Sequence, residues 1–370
     1  MRFPEFTEEW KAEQLDNIAP LSKGIGISKE QLSEDGEPCI LYGELYTKYK
    51  SEIIKQVESK TDINGSKLKR SKANDVIIPC SGETAVDIAT ARCVPFDNIL
   101  FGGDLNVISL HQYDGAFMSY QLNGKRKYDI ARVAQGVSIV HLYGEHLKAI
   151  KTYNPTLPEQ QKIAKLLSLL DDRIDTQNKI IEDLKKLKSA ISHILFSSKG
   201  AIHLSEIANV VMGQSPSSNA YNDQGLGMPL VQGNLDISNG KTTPRLYTAE
   251  FNQTTEKGNI ILTVRAPVGE VAKATQKVCL GRGVCAIIPH EENMSDFIYQ
   301  YLTFYKFMWR RYEQGSTFTS INGSDVRNIF CPKVRNVSIL TLLDIKINIE
   351  ERVVKQYQSQ KQYMLYQMFI

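Results

Sequence analysis

The sequence predicts an α+β protein made of two similar globular modules, each followed by a long helix. Three observations carry this. The chain repeats itself in order, two segments hold a sustained seven-residue apolar pattern, and the stretches between them are short β-rich runs broken by Gly, Asn, Asp and Pro. At 370 residues the chain is too long for one ordinary core, which at roughly 100 to 200 residues per domain calls for two or three domains.

The repeat is read from collinear matches. LDNIAPLSKG is echoed by LSEIANVVMG, which sets Leu15 over Leu204, Ile18 over Ile207 and Ala19 over Ala208. Pro38 then falls over Pro229, and Gly43 and Leu45 over Gly233 and Leu235. DVIIPCSGE falls over NIILTVRAP with Ile77 on Ile261, Gln135-Gly136 over Gln314-Gly315, and Ile150 over Ile329. The matches keep one order in both copies, as a duplication with small length changes requires. The longest is LLSLLDDRIDTQNKIIEDLKKLKSAISHILFS, residues 166–197, which lies without a gap over residues 339–370.

Those two segments read as helices. Pro158 suits a first helical turn, and residues 159–196 contain neither Pro nor Gly. Ile163, Leu167, Leu170, Ile174, Gln177, Ile181, Leu184, Lys188, Ile191 and Leu195 alternate spacings of four and three, the seam of a coiled coil. The second seam is Leu340, Leu343, Ile347, Glu350, Val354, Tyr357, Lys361, Met364 and Met368. An amphipathic helix packed on its own domain is the alternative, but it shows a broader stripe of period 3.6. The runs VIIPC, NVISL, NIILTV and VCAIIP read as strands, and FIYQYLTFYKFMWRRY as a helix. The expected layout is a module over 1–153, a helix over 154–197, a module over 198–333 and a helix over 334–370.

Composition narrows the class. The chain is 42% hydrophobic and 23% charged, ordinary for a globular fold. No apolar run approaches the roughly 20 residues of a membrane span, and MRFPEFTEEW lacks the pattern of a secretory signal, so a cytoplasmic protein without membrane partners is expected. Six cysteines (Cys39, Cys80, Cys93, Cys279, Cys285, Cys331) form no CxxC pair and read as reduced, mostly buried thiols, with no metal or other cofactor. A net charge of +3 permits an anionic partner without demanding one.

The phrase NPTLPEQQKIAKLLSLLDDRIDTQNKIIEDLKKLKSAISHILF, with the module-helix-module-helix layout, resembles the specificity subunits of type I restriction-modification systems. GNIILTVRAPVGEVA and RFPEFTEEW resemble stretches of that family's recognition domains, so the likeness covers essentially the whole chain. It implies two target-recognition domains, an antiparallel coil of the two helices, and recognition of a split target in double-stranded DNA. It also implies docking of two methyltransferase (modification) subunits and of restriction or translocase subunits. Two features depart from the pattern and bear on docking of the second methyltransferase copy. Pro332-Lys-Val-Arg-Asn-Val stands where the second helix would carry its PEQQKIA lead-in, and the chain ends at Ile370.

Catalytic signatures are missing, which suits a non-catalytic recognition subunit. Asn154-Pro155-Thr156-Leu157 is not the Asn-Pro-Pro-aromatic motif of amino-methyltransferases, and Gly24-Ile-Gly26 lacks the strand-turn-helix setting of a nucleotide site. His141 and His146 make no HExxH, and Glu270 with Lys273 only faintly resembles a nuclease pair. DNA contact calls for Lys and Arg at phosphates and for Arg, Asn, Gln or Ser at base edges. The candidates are Lys67, Lys69, Arg70 and Lys72, then Lys125, Arg126 and Lys127 in the first module. In the second they are Arg265, Lys273, Lys277 and Arg282, then Arg310, Arg311 and the polar loop from Gln314 to Asn322. A stand-alone two-module DNA-binding regulator is the alternative function, but no helix-turn-helix is discernible. A protein-bridging scaffold would leave the paired modules unexplained.

Four polar residues interrupt the seams and are expected to set the coil's register: Gln177 and Lys188 in the first, Glu350 and Lys361 in the second. A parallel pairing sets Lys188 against Lys361. An antiparallel one can set Lys188 against Glu350 and Gln177 against Lys361, and that register is the expected one.

Overall fold

The computed structural model describes residues 2–197, 202–312, 320–333 and 336–369. It resolves into two compact units, Met1–Asn178 with Arg352–Ile370, and Lys179–Glu351. The central helix Leu157–Phe196 and the C-terminal helix Ser338–Met368 are each shared between the units. The central helix starts at Leu157 rather than 154, because Lys151–Asn154 is a strand paired antiparallel with Lys11–Gln14.

The first unit is built on two four-stranded sheets. One runs Leu21–Lys23, Leu105–Ile108, Asp75–Pro79, Arg92–Val94, with every neighbour antiparallel. All but the edge strand Leu21–Lys23 are buried along their whole length, and Val76, Ile77, Ile78 and Val107 are wholly inaccessible, which is why the predicted strands are apolar throughout rather than alternating. The second sheet orders Lys60–Thr61, Glu37–Ile40, Leu100–Phe101 and Lys69–Arg70. The second unit carries a six-stranded sheet around Ala208–Met212, Val284–Pro289 and Ile260–Thr263, and a five-stranded sheet around Met228–Val231 and Val278–Leu280. Helix Ser295–Tyr305 covers its core through Phe297, Ile298 and Leu302 and continues as the 3-10 helix Lys306–Tyr312.

The two units repeat each other's hydrogen bonds. Leu15 N donates to Ile150 O at 3.0 Å, and Leu204 N donates to Ile329 O at 2.8 Å, so two of the sequence matches are the two ends of one bond. Ile40 pairs with Phe101 in parallel, as Val231 does with Leu280. Gly24 and Gly213 each run so close to another backbone that a Cβ would lie 2.0 Å from Gly102 O and 2.1 Å from Gly281 O respectively. The glycine of Gly24-Ile-Gly26 thus serves backbone packing.

Every described residue of both predicted seams is buried or half-buried. The helices run antiparallel within each unit: Arg173 and Lys361 meet Tyr357 and Asp171 in the first, and Lys185 and Lys188 meet Glu351 and Asp344 in the second.

Candidate nucleic-acid interface

The residues of the lead-in motif fasten the first module to its helix. Glu159, fully buried, accepts both Nε and Nη2 of Arg2 at 2.7 Å, and Trp10 Nε1 donates to it at 3.4 Å. Gln160 accepts Asp114 N at 2.9 Å and donates to Pro155 O at 2.8 Å. At the far end of the C-terminal helix, Phe369 packs on Phe117 and Trp10 with ring centroids 5.3 and 6.4 Å away.

The register differs from the expected one by close to a heptad. Lys361 meets Asp171 at 2.6 Å and also Glu52, where Gln177 was the expected partner. Lys188 meets Asp344 at 2.5 Å, where Glu350 was expected, and Glu350 is salt-bridged to Lys346 one turn away. The seam lysines thus find carboxylates beside the seam. Asp171 and Asp344 occupy one position of the repeat, as do Lys361 and Lys188, so each unit makes the same bond once. A third group from each globular part completes it: Tyr120 Oη donates to Asp171 at 2.6 Å, and Gln300 Nε2 donates to Asp344 at 2.6 Å. Burial and the Asp171 charge push the Tyr120 hydroxyl far above the usual phenol range.

The basic candidates have separate fates. Arg70 gives its whole fork to Glu37, at 2.6 and 3.0 Å. Lys67 and Lys72 are exposed, Lys69 is half-exposed, and none of the three has an ion-pair partner among the described residues. Lys125, Arg126 and Lys127 face protein: Lys125 lies over the Tyr366 ring, Arg126 lies over Tyr153 and pairs with Asp129, and burial lowers the Lys127 ammonium. Lys273 is held by Asp296 and Lys277 by Glu256, at 2.5 and 2.6 Å. Arg265 and Arg282 are exposed and unpaired among the described residues. Arg310 and Arg311 belong to the 3-10 helix, but their side chains lie outside the described residues, as does Gln314.

A groove opens at equivalent places in the two units, more apolar in the first than in the second. In the first it is about 700 Å³ and lined by Tyr42, Gly43, Tyr46, Ser81, Gly82 and Ile139. In the second it is about 660 Å³ and lined by Gln232, Gly233, Arg245, Arg265, Ala266 and Arg282. Gly43 and Gly233, and Ser81 and Arg265, are matched positions of the repeat. Each unit also has a buried carboxylate that accepts a backbone N–H just past the matched strands, though not at one position of the repeat: Glu44 accepts Leu41 N at 2.9 Å and Asp236, which lines its groove, accepts Gln232 N at 2.8 Å. Sequence reading had not singled out Arg245, Asp236, Asp171 or Asp344. The coincidence of Asp171 with Asp344 in the aligned helices was the available signal.

The residues weighed as catalytic are occupied otherwise. Glu270 pairs with Lys306 at 2.5 Å rather than with Lys273. No group of three metal-ligating side chains gathers among the described residues, and none of their helices is long and apolar enough to cross a membrane. All six cysteines are buried and free, and burial pushes the Cys93, Cys285 and Cys331 thiols up to about 12.

The model of the type I restriction modification DNA specificity domain matches the chain twice, over residues 7–186 and 200–356. A Methanocaldococcus jannaschii protein bearing the name of the MjaX type I restriction enzyme specificity subunit is 35% identical over 208 residues, 50% of this chain and 49% of that one. The MjaVIII type I restriction enzyme specificity subunit of the same organism is 26% identical over 218 residues, 56% of this chain and 47% of that one. The chain thus spans about half the length of the curated relatives it matches. In structure it resembles the type I restriction-modification S subunit of M. genitalium, with a TM-score of 0.66 at 21% identity, covering 100% of this chain and 97% of the other.

Proposed function

The chain belongs to the type I restriction modification DNA specificity family, and from that premise we propose that it is the non-catalytic DNA-reading subunit of a type I restriction-modification complex. Its two modules, over 1–153 and 198–333, each read one short half-site of a bipartite target in double-stranded DNA. The helices over 154–197 and 334–370 carry the modules and dock two adenine methyltransferase subunits. Restriction and translocase subunits join for cleavage. The observation that carries this reading is the duplication, since a groove at one matched position in both copies is what two independent readers need.

Phosphate contact falls first to the cations with no ion-pair partner among the described residues, the exposed Lys67, Lys72, Arg265 and Arg282 and the half-exposed Lys69. Arg70, Lys273 and Lys277 can join by exchanging exposed carboxylate partners for phosphate. Lys125 is instead assigned to the C-terminal helix through Tyr366, and Arg126 and Lys127 to packing within the module.

The test is to express the chain with its modification subunit in a host free of adenine methylation and to map modified adenines across the genome. The expected map is two defined half-sites separated by a fixed unspecified gap. A continuous target, or no modification dependent on this chain, overturns the reading.

A further inference from the structure

The groove of the second unit contains one arginine prepared differently from its neighbours. Asp236 is 3% exposed, and its two oxygens are divided: one accepts Gln232 N at 2.8 Å, the other accepts Arg245 Nε at 3.1 Å. Arg245 itself is 57% exposed, and neither of its terminal nitrogens has a hydrogen-bond partner among the described residues. The guanidinium is therefore anchored through Nε, which leaves the two donors of its outer edge open on a side chain that lines the groove.

That arrangement suits one ligand chemistry. A planar pair of donors matches two acceptors side by side on a base edge, and in the major groove only guanine offers such a pair, through O6 and N7. Anchoring Nε on a buried carboxylate removes side-chain freedom in advance, so less is lost on binding and a displaced base meets a misaligned fork. Arg265 and Arg282, in the same groove, have no such anchor among the described residues. A free cation on a flexible stem follows a phosphate equally well on any sequence.

The first unit shows the contrast. The buried carboxylate that accepts a backbone N–H there, Glu44, is taken by Lys48 at 2.7 Å and by Ser59. The arginine at its groove, Arg92, is 9% exposed and donates to the backbone oxygens of Tyr49, Ala91 and Leu45. No outward fork remains there.

We propose that Arg245, positioned by Asp236, reads a guanine in the half-site recognised by the second module, while Arg265 and Arg282 hold flanking phosphates. This rests on the DNA-reading function proposed above. The experiment is selection from a randomised duplex library by the complex of full-length chain and modification subunit, followed by binding titrations over a range of salt. The parent complex is expected to enrich a target with an obligatory G·C pair in one half-site. Arg245→Gln is expected to reduce discrimination at that pair alone by about ten- to a hundredfold, with every other position retained. Asp236→Asn is expected to weaken discrimination at the same pair, which a merely structural role would not single out. Arg265→Ala and Arg282→Ala should lower affinity for all sequences alike and each flatten the salt dependence by about one unit of slope. An Arg245→Gln complex that loses affinity uniformly, or keeps the parent profile, overturns the assignment. If the parent enriches no sequence, the specificity-subunit reading itself fails and this assignment with it.

Discussion

At Gly24 the first unit brings two backbones together so closely that only a hydrogen fits, whereas Gly26, two residues on, faces open space. Gly24→Ala is therefore expected to cost about 3 kcal/mol of unfolding free energy and Gly26→Ala to stay within about 1 kcal/mol of the parent, as read by urea denaturation. The cysteines offer a chemical counterpart. A thiol must ionise to react, and burial here opposes ionisation, with Cys39 and Cys80 pushed up to about 11 and three others to about 12. The thiolate is thus scarce at all pH values well below those figures. Native protein at pH 8 is expected to resist iodoacetamide at all six positions, while protein in guanidinium takes up label at each, counted by mass spectrometry.

Among the elements, the two helices show how a seam is aligned. Lys361 lies between Glu52 and Asp171, all three nearly inaccessible, so removing the cation leaves two buried carboxylates facing each other. Lys361→Met is expected to destabilise the fold by about 3 to 5 kcal/mol, and combining it with Glu52→Gln and Asp171→Asn should recover much of the loss. In the second unit Lys188 and Asp344 are 18% and 30% exposed, so solvent screens their bond. A double-mutant cycle on that pair is expected to give about 1 kcal/mol of coupling. The polar seam residues were legible because they break an otherwise apolar period. Their partners were not, since both aspartates sit one step off the seam and Glu52 is 309 residues from Lys361.

For the molecule as a whole, the duplication makes the two modules separable on paper and, under the function proposed here, in use. Exchanging residues 198–333 for the matching module of a relative is expected to change one half-site of the methylation map and leave the other intact. A change in both halves would mean that the modules do not read independently.

The sequence by itself determined the architecture: two α+β copies, two long helices and both seams, which the structure reproduces among the described residues, while the match of Gln135-Gly136 with Gln314-Gly315 lies outside them. It could do so because helical periodicity is local and a duplication is preserved in linear order. Tertiary structure alone decided which charges are available. Arg70 and Arg265 look alike in a list of basic residues, yet Glu37 occupies the first, while the second is exposed with no ion-pair partner among the described residues. The same holds for Arg245, whose neighbour in sequence does not reveal that Asp236 will be buried beneath it. The energy of a charged side chain depends on what lies within a few ångströms and on how much water remains, and chain order specifies neither until the fold has closed.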